Sequence, residues 1–252
     1  MQPGNFQFCE KKKIIRLSGK AYDEDLLNDL LKLIISINTK YKNTNIIITG
    51  SFDSKLILKD LISNKKKSKI EEILITFQKI SSALQTKDTT YTSKIKGIAQ
   101  GPAMELALSC NFIKADKTTL LKLEETSNGI IPVLGTTQRL TRLIGYQNTL
   151  QAYLLDKKIT YSKGLQFELF NNKVDNNIKI ENKSFFWDQL FTNTFIFYNS
   201  KIHSTYKNKS PAYNAILSII FECSVCHHDV GLSVEQRWLK WLINHEFFNY
   251  SI

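Results

Sequence analysis

Between residues 95 and 145 the chain passes from a short apolar strand through a glycine turn into a helix, and this junction restricts the fold more than any other stretch. Ile95-Lys96-Gly97-Ile98-Ala99-Gln100-Gly101 leads into Pro102-Ala103-Met104-Glu105-Leu106-Ala107-Leu108. The pattern predicts a strand over 93–99 and a helix over 102–112, with Glu105 in its first turn. A helix N-terminus presents unpaired N–H groups and the positive end of the dipole, so it can hold an anion. A second carboxylate, Glu125, follows in a loop before Gly129-Ile130-Ile131-Pro132, Gly135 and Thr137-Gln138-Arg139-Leu140. Two glutamates flanking a backbone anion site can add water to an activated alkene: one takes a proton from water, the other delivers one to carbon. Pro102 opposes that chemistry because it has no N–H to offer, although a first helical turn accepts proline. Both carboxylates also have a purely structural reading, Glu105 as a favourable charge near a helix start and Glu124-Glu125 as an exposed acidic loop.

Upstream, Lys13-Ile14-Ile15-Arg16-Leu17 reads as a strand, and residues 23–37 repeat apolar side chains with the helical period. Asn45-Ile46-Ile47-Ile48-Thr49-Gly50 reads as a strand buried on both faces. Strand, helix, strand predicts a βαβ layer and an α/β fold. Further helices are expected over 70–84, 137–143, 148–155, 162–170, 184–199, 211–222 and 233–247, and a strand over 111–115. Residues 171–185 are rich in Asn and Lys and carry no period. We place a boundary there, giving a core domain over 1–185 and a C-terminal helical region over 186–252.

The chain carries a formal net charge of +11, which suits phosphorylated ligands and other polyanions. Lys65-Lys66-Lys67 reads as a solvated face, and without an aromatic stacking pattern nucleic acid is not an expected partner. No apolar run reaches the roughly 18 residues of a membrane span. Met1-Gln2-Pro3-Gly4-Asn5-Phe6 lacks the apolar region of a secretory signal, so a cytoplasmic location with four reduced cysteines is expected. Cys223-Ser224-Val225-Cys226-His227 fits a covalent haem spacing, but haem attachment needs an exported compartment, and a Cys/Cys/His/His metal site lacks a second ligand pair of matching spacing. We read it as a reduced helix end with two exposed histidines, and no metal site is expected.

The segment Gly97-Ile98-Ala99-Gln100-Gly101-Pro102-Ala103-Met104-Glu105-Leu106-Ala107 resembles an element of the crotonase (enoyl-CoA hydratase/isomerase) superfamily. Glu125, Gly129-Ile130-Ile131-Pro132, Gly135 and residues 137–145 match its next motif without a gap, and Ile159-Thr160-Tyr161-Ser162-Lys163-Gly164-Leu165 resembles a third. The resemblance is strong over 95–175 and weak over 13–60. It implies a fold of repeated ββα units with C-terminal helices, syn hydration of a 2-enoyl-CoA, and catalytic roles for Glu105 and Glu125, with Glu125 protonating carbon. It places the oxyanion hole at Leu56 and position 102, and substrate contacts at Gly101, Pro132 and Gly135. An acyl-CoA thioester is then the substrate and no cofactor is needed.

The chain departs from that family at Pro102, at Asp53-Ser54-Lys55 in the first oxyanion loop, and at Glu168, which replaces a glycine that ends a helix. Loss of one oxyanion donor costs on the order of 100- to 1000-fold in rate. The N–H of Ala103 or a tilted helix start are the available substitutes. Residues 210–212 and 231–235 resemble the end of the hydratase module in multifunctional fatty-acid oxidation α-subunits, although no dinucleotide motif follows. The expected function is therefore hydratase-type chemistry of fatty-acid β-oxidation. The alternatives are a catalytically silent acyl-CoA-binding or scaffold subunit, and a crotonase-fold isomerase or decarboxylase. The partners implied are further copies in a trimer-based assembly or a thiolase-type subunit.

Overall fold

A computed structural model describes residues 6–19, 21–56, 67–170, 189–206, 210–223 and 225–245. Strands β1 (Phe6–Cys9) and β2 (Ile14–Leu17) form an antiparallel hairpin that the sequence reading caught only in part. Then come β3 (Ala21–Tyr22), helix α1 (Glu24–Lys40), β4 (Thr44–Gly50), β5 (Phe52–Asp53), β6 (Lys55–Leu56) and α2 (Lys67–Ala83). The middle of the chain gives β7 (Thr89–Ile95), β8 (Ile98–Gln100), α3 (Gly101–Leu108), β9 (Phe112–Ala115), β10 (Leu120–Lys122), α4 (Thr136–Ile144) and α5 (Tyr146–Leu154). It ends with β11 (Ile159–Thr160), α6 (Tyr161–Gln166), α7 (Gln189–Tyr206), α8 (Ala212–Cys223) and α9 (His228–Asn244).

The strands fall into a five-stranded sheet, β1-β2-β4-β7-β9, a four-stranded sheet, β11-β10-β8-β5, and the pair β3-β6. Within the first sheet β2, β4, β7 and β9 are all parallel, so α1 and α2 act as crossover helices, as the βαβ reading predicted. Each unit crosses between sheets. β4 passes into β5, β7 into β8, and β9 into β10, which is the repeated ββα architecture. Glycine makes two of these crossings possible. Gly50 (φ 111°) and Gly97 (φ 72°) hold left-handed backbone, and a Cβ on Gly50 would lie 2.0 Å from the Leu17 carbonyl oxygen.

The local chemistry explains the elements. Asp23 caps α1 by accepting from the Leu26 N–H at 2.9 Å, and Leu27, Leu30, Ile34 and Ile37 are buried along one stripe. Strand β4 corrects the sequence reading: Ile46 and Ile48 are buried, Ile47 is half-buried and Asn45 exposed. The alternation means that one face of this strand is completely covered and the other only partly. Residues 184–188 and 246–247 of the expected terminal helices, and the whole Asn/Lys-rich boundary over 171–185, lie outside the described residues. Among the described residues no helix is long and apolar enough to cross a membrane.

Candidate active site

Helix α3 begins at Gly101, so Glu105 sits in its second turn rather than its first. The helix is buried along nearly its whole length, and Glu105 is 1% exposed. Its carboxylate accepts from the Val133 N–H (2.9 and 3.1 Å to its two oxygens), the Leu134 N–H (2.9 Å) and the Thr136 hydroxyl (2.9 Å). The loop before α4 is thus wrapped around this carboxylate. Gly135 permits the wrap: it lies at φ 82°, and a Cβ there would meet the Leu232 side chain at 2.4 Å.

Glu125 belongs to a turn closed by Asn128 N–H to the Glu124 carbonyl (3.0 Å) and Ile130 N–H to the Glu125 carbonyl (2.9 Å). That turn splits the acidic pair. Glu124 faces solvent beside Lys122 at 3.5 Å, whereas Glu125 is 8% exposed and neither carboxyl oxygen has a protein partner. The exposed-loop reading therefore holds for Glu124 and fails for Glu125.

The two environments separate the protonation states of Glu105 and Glu125. Burial pushes both carboxyls upward. The loop N–H groups and Thr136 pull Glu105 back down, while the charge of Glu105 pushes Glu125 further up. Two close carboxyls of this kind share a proton. The donors around Glu105 favour its charged form over that of Glu125, which has burial and the neighbouring charge against it.

Sequence reasoning missed a third carboxyl. Glu235 on α9 is 3% exposed and accepts from the Gly135 N–H at 2.8 Å. Burial raises it to about 8, with Glu105 adding to the rise and Arg139 opposing it. Arg139, fully buried on α4, donates to the Leu134 carbonyl and, at 2.5 Å, to the Ser81 hydroxyl. Burial lowers it to about 10, against the pull of Glu235 and Glu105. Tyr153 is buried beside the same charges, and its hydroxyl is raised well above the ordinary value by burial and then by Glu125. The sequence signals were Arg139 in the Thr-Gln-Arg-Leu run and Glu235 in the Gly-Leu-Ser-Val-Glu run. Only folding shows that these meet across 96 residues of chain (235 minus 139).

At the N-terminus of α3 the oxyanion expectation changes. Pro102 supplies no N–H, and the Ala103 N–H, a candidate substitute, donates to Ser54 Oγ at 2.8 Å. Ser54 Oγ also donates to the Gln100 carbonyl at 3.1 Å, and Gln100 Nε2 donates to Asp53 at 2.7 Å. The departing loop residues therefore cap the helix themselves. Gly101 (φ 64°) serves that contact, because a Cβ there would lie 2.2 Å from the Ser54 carbonyl oxygen. Leu56 is buried in β6, in register with Tyr22 of β3. Pro132 and Gly135 lie apart from this end, lining with Ser81, Leu232 and Glu235 a small cleft between α2 and α9 with room for about one water molecule. The structure thus brings Glu105, Glu125, Pro132 and Gly135 to one loop, and Leu56, Gly101 and Pro102 to the start of α3.

Among the described residues no cluster of three metal-ligating side chains occurs. His227 is exposed, but His228 is 7% exposed, which corrects the reading of two exposed histidines. It lies in the first turn of an amphipathic helix whose inner face carries Gly231 and Glu235 onto α4. Glu168 holds left-handed backbone (φ 56°) just beyond α6, where the resemblance expects glycine.

Comparison with known proteins agrees with this architecture. The α-subunit of the fatty acid oxidation complex of Shewanella frigidimarina is 30% identical over 141 residues, 54% of this chain and 20% of that protein. The glyoxysomal fatty acid β-oxidation multifunctional protein of Cucumis sativus is 29% identical over 139 residues, 55% of this chain and 18% of that protein. The chain therefore spans about a fifth of the length of these two relatives. The crystal structure of an enoyl-CoA hydratase from Bacillus halodurans superposes with a TM-score of 0.67 over 97% of both chains at 20% identity, a likeness of fold. The sequence profile of the enoyl-CoA hydratase/isomerase family matches residues 16–191, and the chain belongs to that family.

Proposed function

We propose that the protein is a hydratase-type enzyme that adds water to a 2-enoyl-CoA, with a weakened oxyanion site. The observation that carries this reading is the divided carboxyl pair: Glu105 accepts from three donors, whereas Glu125 is buried with neither carboxyl oxygen hydrogen-bonded to another described residue. Hydration needs one group of each kind. Glu105 accepts a proton from the attacking water, and Glu125 delivers one to the α-carbon. A net charge of +11 suits the phosphates of a CoA thioester. The likeness to oxidation-complex relatives supports a reaction of fatty-acid β-oxidation, with either a trimer-based assembly or a thiolase-type subunit as partner.

A second reading rests on the other end of α3. Pro102 and the Ser54-capped Ala103 leave the enolate short of donors, which favours a silent acyl-CoA-binding subunit. Single-carboxyl isomerase or decarboxylase chemistry is a further option, since Glu125 alone could shuttle a proton. Loss of the conjugated thioester absorbance of crotonyl-CoA and of a longer 2-enoyl-CoA separates these readings. Wild-type turnover abolished by Glu105→Gln with Glu125→Gln supports the hydratase. Pro102→Gly with Ser54→Ala should then raise the rate toward the 100- to 1000-fold worth of about one oxyanion donor. Silence in every variant, with CoA-thioester binding retained, refutes the hydratase and supports the binding subunit.

A further inference from the structure

The pair Cys223 and Cys226 has no place in the acid–base site. Cys223 is the last residue of α8 and is buried; Cys226 lies in the turn before α9 and is half-buried. A three-residue spacing in a turn, such as the one the Val225 N–H closes on the Glu222 carbonyl, can bring two Cα atoms within the separation that a disulfide spans. The two thiols are near enough to shift one another's proton affinity. Each cysteine also has a donor from one neighbouring helix, α4. Gln138 Nε2 donates to Cys223 Sγ. The Arg142 guanidinium donates to the Cys226 carbonyl at 3.0 Å and lies against the Cys226 sulfur. Arg142 is itself fixed by Gln138, to whose Oε1 it donates at 2.7 Å. Two side chains of α4 thus hold a dithiol in which only the second sulfur reaches solvent.

We propose that Cys223 and Cys226 form a redox-active dithiol that a hydroperoxide oxidises to an intramolecular disulfide, with Cys226 as the attacking thiol and Cys223 as the resolving one. The Cys226 thiolate attacks the peroxide oxygen, the O–O bond breaks, and the alcohol or water leaves with a proton. Cys226 is then a sulfenic acid. The Cys223 thiol attacks that sulfur, the S–O bond breaks, and water leaves with the Cys223 proton. The roles follow from the surroundings. Contact with Cys223 and then the charge of Arg142 hold the Cys226 thiol down to about 7, whereas burial pushes Cys223 far up. Oxidation of Cys226 removes the negative charge that helps to keep Cys223 protonated, so the second step becomes easier once the first has occurred. The turn that carries the pair opens α9, the helix of Glu235, so the bridge would fix the approach of that helix to α4.

The inference is independent of the hydratase reading, and its test needs no turnover. The full chain is treated with hydrogen peroxide near pH 7, then digested and mapped by mass spectrometry. The peptide holding both cysteines should lose two hydrogens and regain them with dithiothreitol. Cys223→Ser should leave Cys226 as a sulfenic acid that dimedone traps, and Cys226→Ser should leave Cys223 unoxidised. Cys9 is exposed and serves as an internal reference. If exposure alone governs reactivity, iodoacetamide labels Cys9 faster; the proposal requires Cys226 to be several-fold faster, and slower in Arg142→Gln. Oxidation confined to Cys9, or equal dimedone trapping of Cys226 in wild type and Cys223→Ser, overturns it.

Discussion

Replacing Glu105 separates its structural work from its chemistry. Glu105 accepts from the Val133 and Leu134 N–H groups and from the Thr136 hydroxyl, all buried. Glu105→Ala strands three donors in a fully covered site, each costing about 1–3 kcal/mol. The sum is about 3–9 kcal/mol before any water enters, against a total stability of roughly 5–15 kcal/mol for a typical domain. Glu105→Gln is different. Three of the four short contacts converge on one carboxyl oxygen, and a glutamine carbonyl can occupy that position. Only the 3.1 Å contact from Val133 N–H would face an amide, so the cost should stay within about 1–2 kcal/mol. Urea unfolding followed by the fluorescence of the three tryptophans measures both. The expected order is wild type close to Glu105→Gln, with Glu105→Ala far below or unfolded. Hydration of crotonyl-CoA should be lost in both variants. If Glu105→Ala unfolds at the wild-type midpoint, the loop does not depend on this carboxylate and the argument fails.

Glu235, raised from 4.5 to about 8, keeps a proton in the folded state that the unfolded chain has already released. Its contribution is whole below pH 4.5 and declines as pH rises toward 8, by up to about 1.4 kcal/mol per pH unit. His228, held down to about 3 by burial and then Arg139, acts oppositely between pH 3 and 6.5, and Cys226, held down to about 7, acts oppositely above pH 7, so the difference between wild type and Glu235→Gln over pH 6.5–8 is what isolates Glu235. Wild-type stability should fall across that window and fall less in Glu235→Gln; equal slopes would remove Glu235 from the account. Glu168→Gly should raise the unfolding free energy by up to about 1 kcal/mol, since left-handed backbone costs about 1–2 kcal/mol in a non-glycine residue and glycine's extra entropy returns roughly half. Gly101→Ala should lower it by more than the roughly 1–2 kcal/mol of φ strain, because its Cβ would fall 2.2 Å from the Ser54 carbonyl oxygen. Chemical denaturation settles both, and an unchanged Gly101→Ala would show that the α3 start is not tightly packed on Ser54.

Local patterns made most of the elements legible. The apolar period of α1 and the Gly97–Gly101 turn are properties of neighbours in sequence, whereas the uneven covering of the two faces of β4 was not legible, since all three of its isoleucines are apolar. The glutamates, the missing N–H at Pro102 and the odd residue at Glu168 were legible for the same reason: each is a matter of residue type at a motif position. What those residues do was not legible. Whether Glu124 or Glu125 turns inward depends on a turn closed by Asn128 and Ile130. Whether Ala103 could replace Pro102 as a donor depends on Ser54, which lies 49 residues away. The third carboxyl reaches Gly135 across 100 residues. Sequence fixes which groups exist and which local backbone each can adopt. Tertiary structure alone decided which of them face one another out of water, and that decides protonation, because a carboxyl's proton affinity depends on burial and on charges brought near by folding.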